Sequence, residues 1–259
     1  LRVLLVCRYD GSKYHGFQIQ PNNKTIQEMI EKSLCRIHKG ENVRIHMSGR
    51  TDSGVHAYLQ PIHFDTNLNL TEDAWVKSVN AYLPKDIRII GSKIVGDDFH
   101  VRFNSMAKTY EYRLCISKNV DPFLVNYVGH TPFKFDYKKA EECLQYFIGT
   151  YDFSSFCSKN SSVEDKVRTI TNFNIKQENN IVIFEITGDG FLYNMVRIII
   201  GTITDVAIGK YDKSLIPEII NKKDRSFAGK RAEASGLYLK NVIYNEKEIN
   251  KFIENLHKN

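Results

Sequence analysis

The chain has no long apolar run. Nothing in its 259 residues approaches the length of a membrane span, and Val3-Leu4-Leu5-Val6 is too short for the core of a signal peptide and leads straight into a patterned strand. No membrane partner is expected. Cysteine is scarce and odd in number: Cys7, Cys35, Cys115, Cys143 and Cys157 are widely spaced and mostly lie within apolar patterns. That speaks against a disulfide framework and for reduced, buried thiols in a cytoplasmic protein. Metal-ligand spacing is missing as well. His38, His46, His56 and His63 fall in one short region, but no pair has helix-face or Cys-x-x-Cys spacing. They read as solvent-facing or motif-packing side chains, and no metal is expected. Nor is there a strong excess of one charge. Lys and Arg outnumber Asp and Glu by 36 to 30, a net charge of +6, which permits a polyanionic partner without requiring one. A hydrophobic content of 42% suffices for a packed core, so the chain is globular.

What is present is a βαββαβ order, twice. Residues 1–9 read as a buried strand. Thr25 opens a helix, with Glu28 completing a capping box and Ile26, Met29, Ile30, Leu34 and Ile37 on one face, and Gly40 stops it. Strands follow at 43–48 and 60–65. A helix over 71–82 buries Trp75, Val76, Val79 and Leu83 before Pro84, and a fourth strand spans 87–95. The second half repeats the order. It has a strand at 107–117, a helix at 136–148 closed by Gly149, and strands at 168–176 and 181–188 joined by the hairpin signal Glu178-Asn179-Asn180. An apolar helix over 195–207, a shorter one near 215–221 and a strand at 237–244 complete it. The class is α+β: two similar ferredoxin-like or RRM-like halves, 1–106 and 107–259, on a mixed, largely antiparallel sheet. No Pro/Gly-rich linker separates Phe99 from Lys108, so the sheet is expected to be continuous or closely abutted, with a central cleft for a ligand. The loops 10–24 and 154–166 exceed ordinary connection length, which points to function; the second is expected to be mobile until its ligand binds.

Ser48-Gly49-Arg50-Thr51-Asp52-Ser53-Gly54-Val55-His56-Ala57 interrupts the alternation between the second and third strands. Two glycines free the backbone, and between them sits one carboxylate, Asp52, flanked by Arg50 and two hydroxyls. A solvated Asp in an ordinary turn would explain a lone Gly-x-x-Asp-x-Gly, but the ten-residue string is more specific. Further on, Phe99-His100-Val101-Arg102-Phe103 and Lys108-Thr109-Tyr110-Glu111-Tyr112 set cations among aromatic rings, an arrangement suited to phosphates and bases. Phe103 and Tyr112 themselves read as core residues. Arg197 is the single cation of the stretch from Gly190 to Ile200, where a buried charge needs a partner; Asp205, two turns on, could be one. Gly236-Leu237-Tyr238-Leu239 reads as an ordinary core strand.

The ten-residue string resembles the signature of the tRNA pseudouridine synthase A family, Gly-Arg-Thr-Asp-x-Gly-Val-His-Ala, with every fixed place filled. The other segments match in order and spacing, and the resemblance runs from Arg2 to about Tyr244; Val101 stands where many members have alanine. It implies an isomerase that converts uridine to pseudouridine at nucleotides 38, 39 and 40 of the tRNA anticodon stem-loop, without cofactor, as a homodimer. By the same resemblance Asp52 is the catalytic nucleophile or base, and Arg50 fills the space the flipped base leaves. Tyr110 and Leu237 sandwich the base, and Arg197 pairs with Asp52 and keeps it ionised. Tyr110 could also accept the C5 proton. The alternatives are a related synthase with other RNA targets and a non-catalytic RNA-binding module. Against the module, no RNP1-like aromatic string is present, and binding alone needs no carboxylate near phosphates. A two-carboxylate glycosidase lacks a second acid in an equally specific motif.

Overall fold

The computed structural model describes residues 1–159, 161 and 163–257. They form an α+β structure with mostly antiparallel strand pairs and, among the described residues, six α-helices. Two compact units are present: residues 1–106 with 238–259, and residues 107–237.

In the first unit, β1 (Arg2–Tyr9) is the central strand, pairing antiparallel with β3 (His56–Asp65) on one side and β4 (Ile87–Val95) on the other. Val3, Leu4, Leu5, Val6 and Cys7 are wholly buried, as befits a strand covered on both faces. Helix α1 (Ile26–Ile37) starts where the sequence places it: Thr25 is the N-cap and its side chain accepts the Glu28 N–H. Strand β2 (His46–Met47) is shorter than the alternation at 43–48 suggests, because only His46 and Met47 find partners, His63 and Ile62 on β3. Helix α2 (Glu72–Asn80), capped by Thr71, buries Trp75 and Val79; Val76 is only half-buried. The Trp75 ring meets Phe64 edge-on at 5.2 Å and stacks on His38 at 5.9 Å.

In the second unit, β5 (Ser105–Cys115) pairs with β9 (Ile181–Gly188), and β9 with β8 (Val167–Glu178). Two short strands complete the sheet: β6 (Gly129–His130), parallel to β5, and β7 (Gly149–Asp152), antiparallel to β8. Asn179 takes a left-handed conformation (φ 53°) in the β8–β9 turn, as the hairpin signal requires. Helix α3 (Tyr137–Leu144) is capped by Asp136 and tightens into a 3₁₀ turn before Gly149. Helix α4 (Met195–Ala207) is buried along its whole length, and α5 (Leu215–Lys222) follows. The loop 154–166 opens with a 3₁₀ turn that buries Phe156; its residues 160 and 162 lie outside the described residues.

Two features depart from chain order. Strand β10 (Leu237–Tyr244) pairs in parallel with β3, through Tyr238 and Leu239 opposite His56 and Ala57, so residues 238–259 belong to the first unit rather than to the half that precedes them. Sequence order does not dictate sheet order, and a parallel partner can be reached only by a long crossover. Helix α6 (Lys247–His257) follows β10 in the same unit, with Ile249 and Ile253 buried and Phe252 and Leu256 against Gly91, where a Cβ would meet them at 2.6–3.0 Å.

Candidate active site

The motif turn owes its shape to a second loop. Tyr14 takes two bonds through its carbonyl, from the Gly54 N–H (3.2 Å) and the Ser53 hydroxyl (3.3 Å), and the Phe17 N–H donates to Thr51 O (3.1 Å). The Tyr9 and Thr51 hydroxyls are 2.7 Å apart. Asp52 O accepts the Val55 N–H at 3.1 Å, closing the turn, with Gly54 at φ 78°. Glycine is required where the loops touch: a Cβ at Gly11 would overlap Val55 O, and one at Gly16, itself at φ 87°, would lie 2.7 Å from Thr51 O. Below the turn, the amide of buried Gln60 donates to Ser48 Oγ (3.1 Å) and Gly49 O (3.2 Å). His56 begins β3 and is 2% exposed; its Nδ1 accepts the Gly11 N–H at 3.0 Å, with Asp10 Oδ1 at 3.2 Å. The His56 ring stacks on Tyr238 (4.7 Å), which stacks on Tyr58 (4.9 Å). Asp52 is therefore half-buried on a turn whose backbone is fastened on all sides, and Arg50 stands exposed beside it.

The other predicted residues lie in the second unit. Tyr110, on β5, is 8% exposed and meets Phe191 edge-on at 5.2 Å. Arg197 lies in the first turn of α4, also 8% exposed. Its Nε donates to Ala232 O (2.8 Å) and its Nη1 to Asn194 Oδ1 (3.0 Å). Asn194, the N-cap, is left-handed (φ 61°) and turns its amide toward the guanidinium. Asp205 is engaged elsewhere, by the Lys230 N–H (3.3 Å) and Lys210 Nζ (3.5 Å). Leu237, 5% exposed, opens β10. Tyr112 is a core residue as expected: its hydroxyl donates to Glu233 O, and burial first, then the Glu233 charge, push its pKa up against the opposing charge of Arg197. Phe103 is not. It is 78% exposed, because it sits before β5 on a turn closed by Asn104 N–H to His100 O rather than within the strand.

Folding gathers what the histidine spacing did not show. His46, His63 and His100 offer nitrogen atoms within 4.8 Å of one another, the one candidate metal cluster among the described residues. Its geometry does not suit a metal. The His46 and His63 rings lie nearly parallel (14°) at 4.8 Å, so their lone pairs run side by side rather than converging. His63 and His100 each accept a backbone N–H through Nδ1, where a ligating histidine donates from that nitrogen. Burial, then the neighbouring charges of His100, His46 and Arg2, depress the His63 pKa to about 3, which keeps the His63 ring neutral.

The clamped turn presents a single acid within an α+β unit, and comparison with known proteins supplies the family. The family model described as tRNA pseudouridine synthase matches residues 5–104 and 143–245, taking in Asp52, Arg197 and Leu237 while leaving Tyr110 outside the matched ranges. The chain belongs to the tRNA pseudouridine synthase family. It is 48% identical over 244 residues to tRNA pseudouridine synthase A 1 of Bacillus cereus, covering 94% of this chain and 99% of the relative. It is 46% identical over 244 residues to tRNA pseudouridine synthase A of Anoxybacillus flavithermus, covering 94% and 98%. A chain of the crystal structure of a Cbf5-Nop10-Gar1 complex is similar at 13% identity, TM-score 0.35, over 94% of this chain and 59% of that one, too slight a likeness to support an argument. Among the described residues no helix is long and apolar enough to cross a membrane.

Proposed function

We propose that this protein isomerises uridine to pseudouridine at nucleotides 38, 39 and 40 of the tRNA anticodon stem-loop, with Asp52 as the catalytic carboxylate. The observation that supports it most is the clamped turn. A carboxylate that reacts at a sugar carbon must be held to a fraction of an ångström, and fastening the turn through Tyr14 O, Thr51 O and the Gly11 and Gly16 contacts does this without covering Asp52 itself. The reaction breaks the bond from N1 to C1′, turns the base and rejoins it through C5. No electrons leave and no group arrives, so a cofactor has nothing to contribute. Asp52 attacks C1′ or removes the C2′ proton, and either route needs an ionised carboxylate with water kept from the loose base.

Extruding the uridine costs a few kcal/mol of stacking. Arg50, exposed beside the turn, fills the gap, and Tyr110 and Leu237 hold the base between ring and methyls. Arg197 pairs with Asp52 and keeps it ionised. The protein acts in the cytoplasm as a homodimer, gripping one tRNA with both subunits. The test is Asp52→Asn, which removes charge but little shape: pseudouridine formation falls by roughly 10³-fold or more while tRNA affinity stays within about tenfold. An Asn variant with substantial activity sinks the assignment.

A further inference from the structure

Between Lys222 and Arg231 the chain carries five cations, Lys222, Lys223, Arg225, Lys230 and Arg231, against one carboxylate, Asp224. Two of these six charges are engaged within the unit. Lys223 Nζ reaches Asp152 at 3.1 Å, and the Asp224 carboxylate caps the 3₁₀ turn Arg225–Phe227 by accepting the Ser226 N–H (2.8 Å) and hydroxyl (2.9 Å). Among the described residues, Arg225, Lys230 and Arg231 have no carboxylate partner. Arg225 is half-buried, with Nη1 donating to Ala228 O (3.2 Å), and the charge that bears on it is another guanidinium, Arg231. Burial and that like charge both lower the Arg225 pKa from its ordinary value. Phe227 stands half-exposed beside them, with the Lys222 ammonium 5.5 Å above its ring.

Two like charges on a loose surface would drift apart. Here the backbone that carries Lys230 and Arg231 is fixed to α4. The Gly229 N–H donates to Thr202 Oγ1 (2.9 Å), the Lys230 N–H to buried Asp205, and the Ala232 N–H to Arg197 O (3.0 Å), each partner lying on α4. Contact is so close that a Cβ at Gly201 would overlap Lys230 O, and one at Gly229 would lie 2.7 Å from Thr202 Cα. A like-charged pair beside a stitched backbone, with no carboxylate partner among the described residues, is arranged for an anion from outside.

We propose that Arg225, Lys230 and Arg231 form a binding site for a backbone phosphate of the RNA substrate. This rests on the reading of the substrate as tRNA and deepens it. Because Ala232 is bonded twice to Arg197, through Nε to Ala232 O and through Arg197 O to the Ala232 N–H, the phosphate grip is fastened to the helical turn that presents Arg197.

The test measures tRNA affinity against salt for the parent, for Arg225→Gln/Arg231→Gln, and for Lys138→Gln/Lys176→Gln, which makes the same change in net charge elsewhere in the unit. The site predicts roughly tenfold weaker binding for the arginine variant and a slope of log affinity against log salt reduced by about one to two, with the lysine variant close to the parent. Without RNA, the melting temperature of the arginine variant should equal or exceed the parent's, since the change relieves repulsion. Parent-like affinity and slope in the arginine variant, equal weakening in the lysine variant, or a lowered melting temperature that accounts for the loss each overturns the site. Failure of the underlying reading looks different: a parent that neither binds nor modifies tRNA.

Discussion

Asp52 and Arg197 are both held rigidly, by opposite means. Asp52 sits on a turn with no regular structure of its own, and what fixes it is a neighbouring loop whose glycines let two backbones touch. Arg197 sits on the most regular element of the second unit, a wholly buried helix, and what fixes it is a set of polar contacts from Asn194 and Ala232. On the proposed reading, Asp52 must stay partly open to substrate and cannot be immobilised by burying its side chain, so its backbone is immobilised instead. A supporting cation can be buried, provided every donor is met.

The largest test of this contrast removes the cation. Arg197→Met leaves Asn194 Oδ1 and Ala232 O without their donor and takes a positive charge from the proposed partner of Asp52. Activity should fall by at least about a hundredfold. The acid limb of the pH–rate profile should also move to higher pH, because a carboxylate that loses a nearby cation has a raised pKa and is protonated sooner as pH falls. An unchanged profile would show that Arg197 serves the fold alone.

A pair of glycine substitutions sharpens the comparison. Gly11→Ala collides with Val55 O and shifts the turn that carries Asp52, so kcat should drop by about a hundredfold with tRNA affinity close to the parent. Gly201→Ala collides with Lys230 O inside a packed core, so its main effect should be a loss of about 1–3 kcal/mol in denaturant unfolding. Equal stability losses in both would erase the distinction.

The smallest expected effect concerns acid. His63 has a folded pKa of about 3 against 6.5 in the unfolded chain, so the unfolded state takes up the extra proton. The contribution to stability is complete above pH 6.5 and is lost as pH falls toward 3, at a slope of less than ~1.4 kcal/mol per pH unit. His63→Leu should flatten the decline of melting temperature between pH 6.5 and 4. A decline as steep as the parent's would assign it to other groups.

The motif turn, helices α1, α2 and α4, the β8–β9 hairpin and strands β1, β4 and β9 were legible in the sequence, because caps, glycines and periodicity act locally. What escaped depends on partners far away in the chain. Residues 43–45 have the alternation of a strand but no neighbour to pair with, and Phe103 has the company of core aromatics but a turn that points it outward. The meeting of His46, His63 and His100 follows from the register of β2 on β3, which no spacing reveals. Helix α6 is a different case. Ile249, Phe252, Ile253 and Leu256 have helical spacing that the sequence shows plainly, and the signal was there to be read. The clamp around Asp52 was visible only as a loop longer than its neighbours required.

The split of the first unit bears on how the protein is made. Strand β10 and helix α6 leave the ribosome only after residues 107–237 have been synthesised, an interval of roughly 7–26 s at ordinary elongation rates. For that time β3 lacks the parallel partner that Tyr238 and Leu239 supply, and Gly91 lacks the cover of Phe252 and Leu256. The nascent chain thus holds the turn that carries Asp52 in an unfinished unit while the second unit is completed, and a segment synthesised later closes a structure begun earlier.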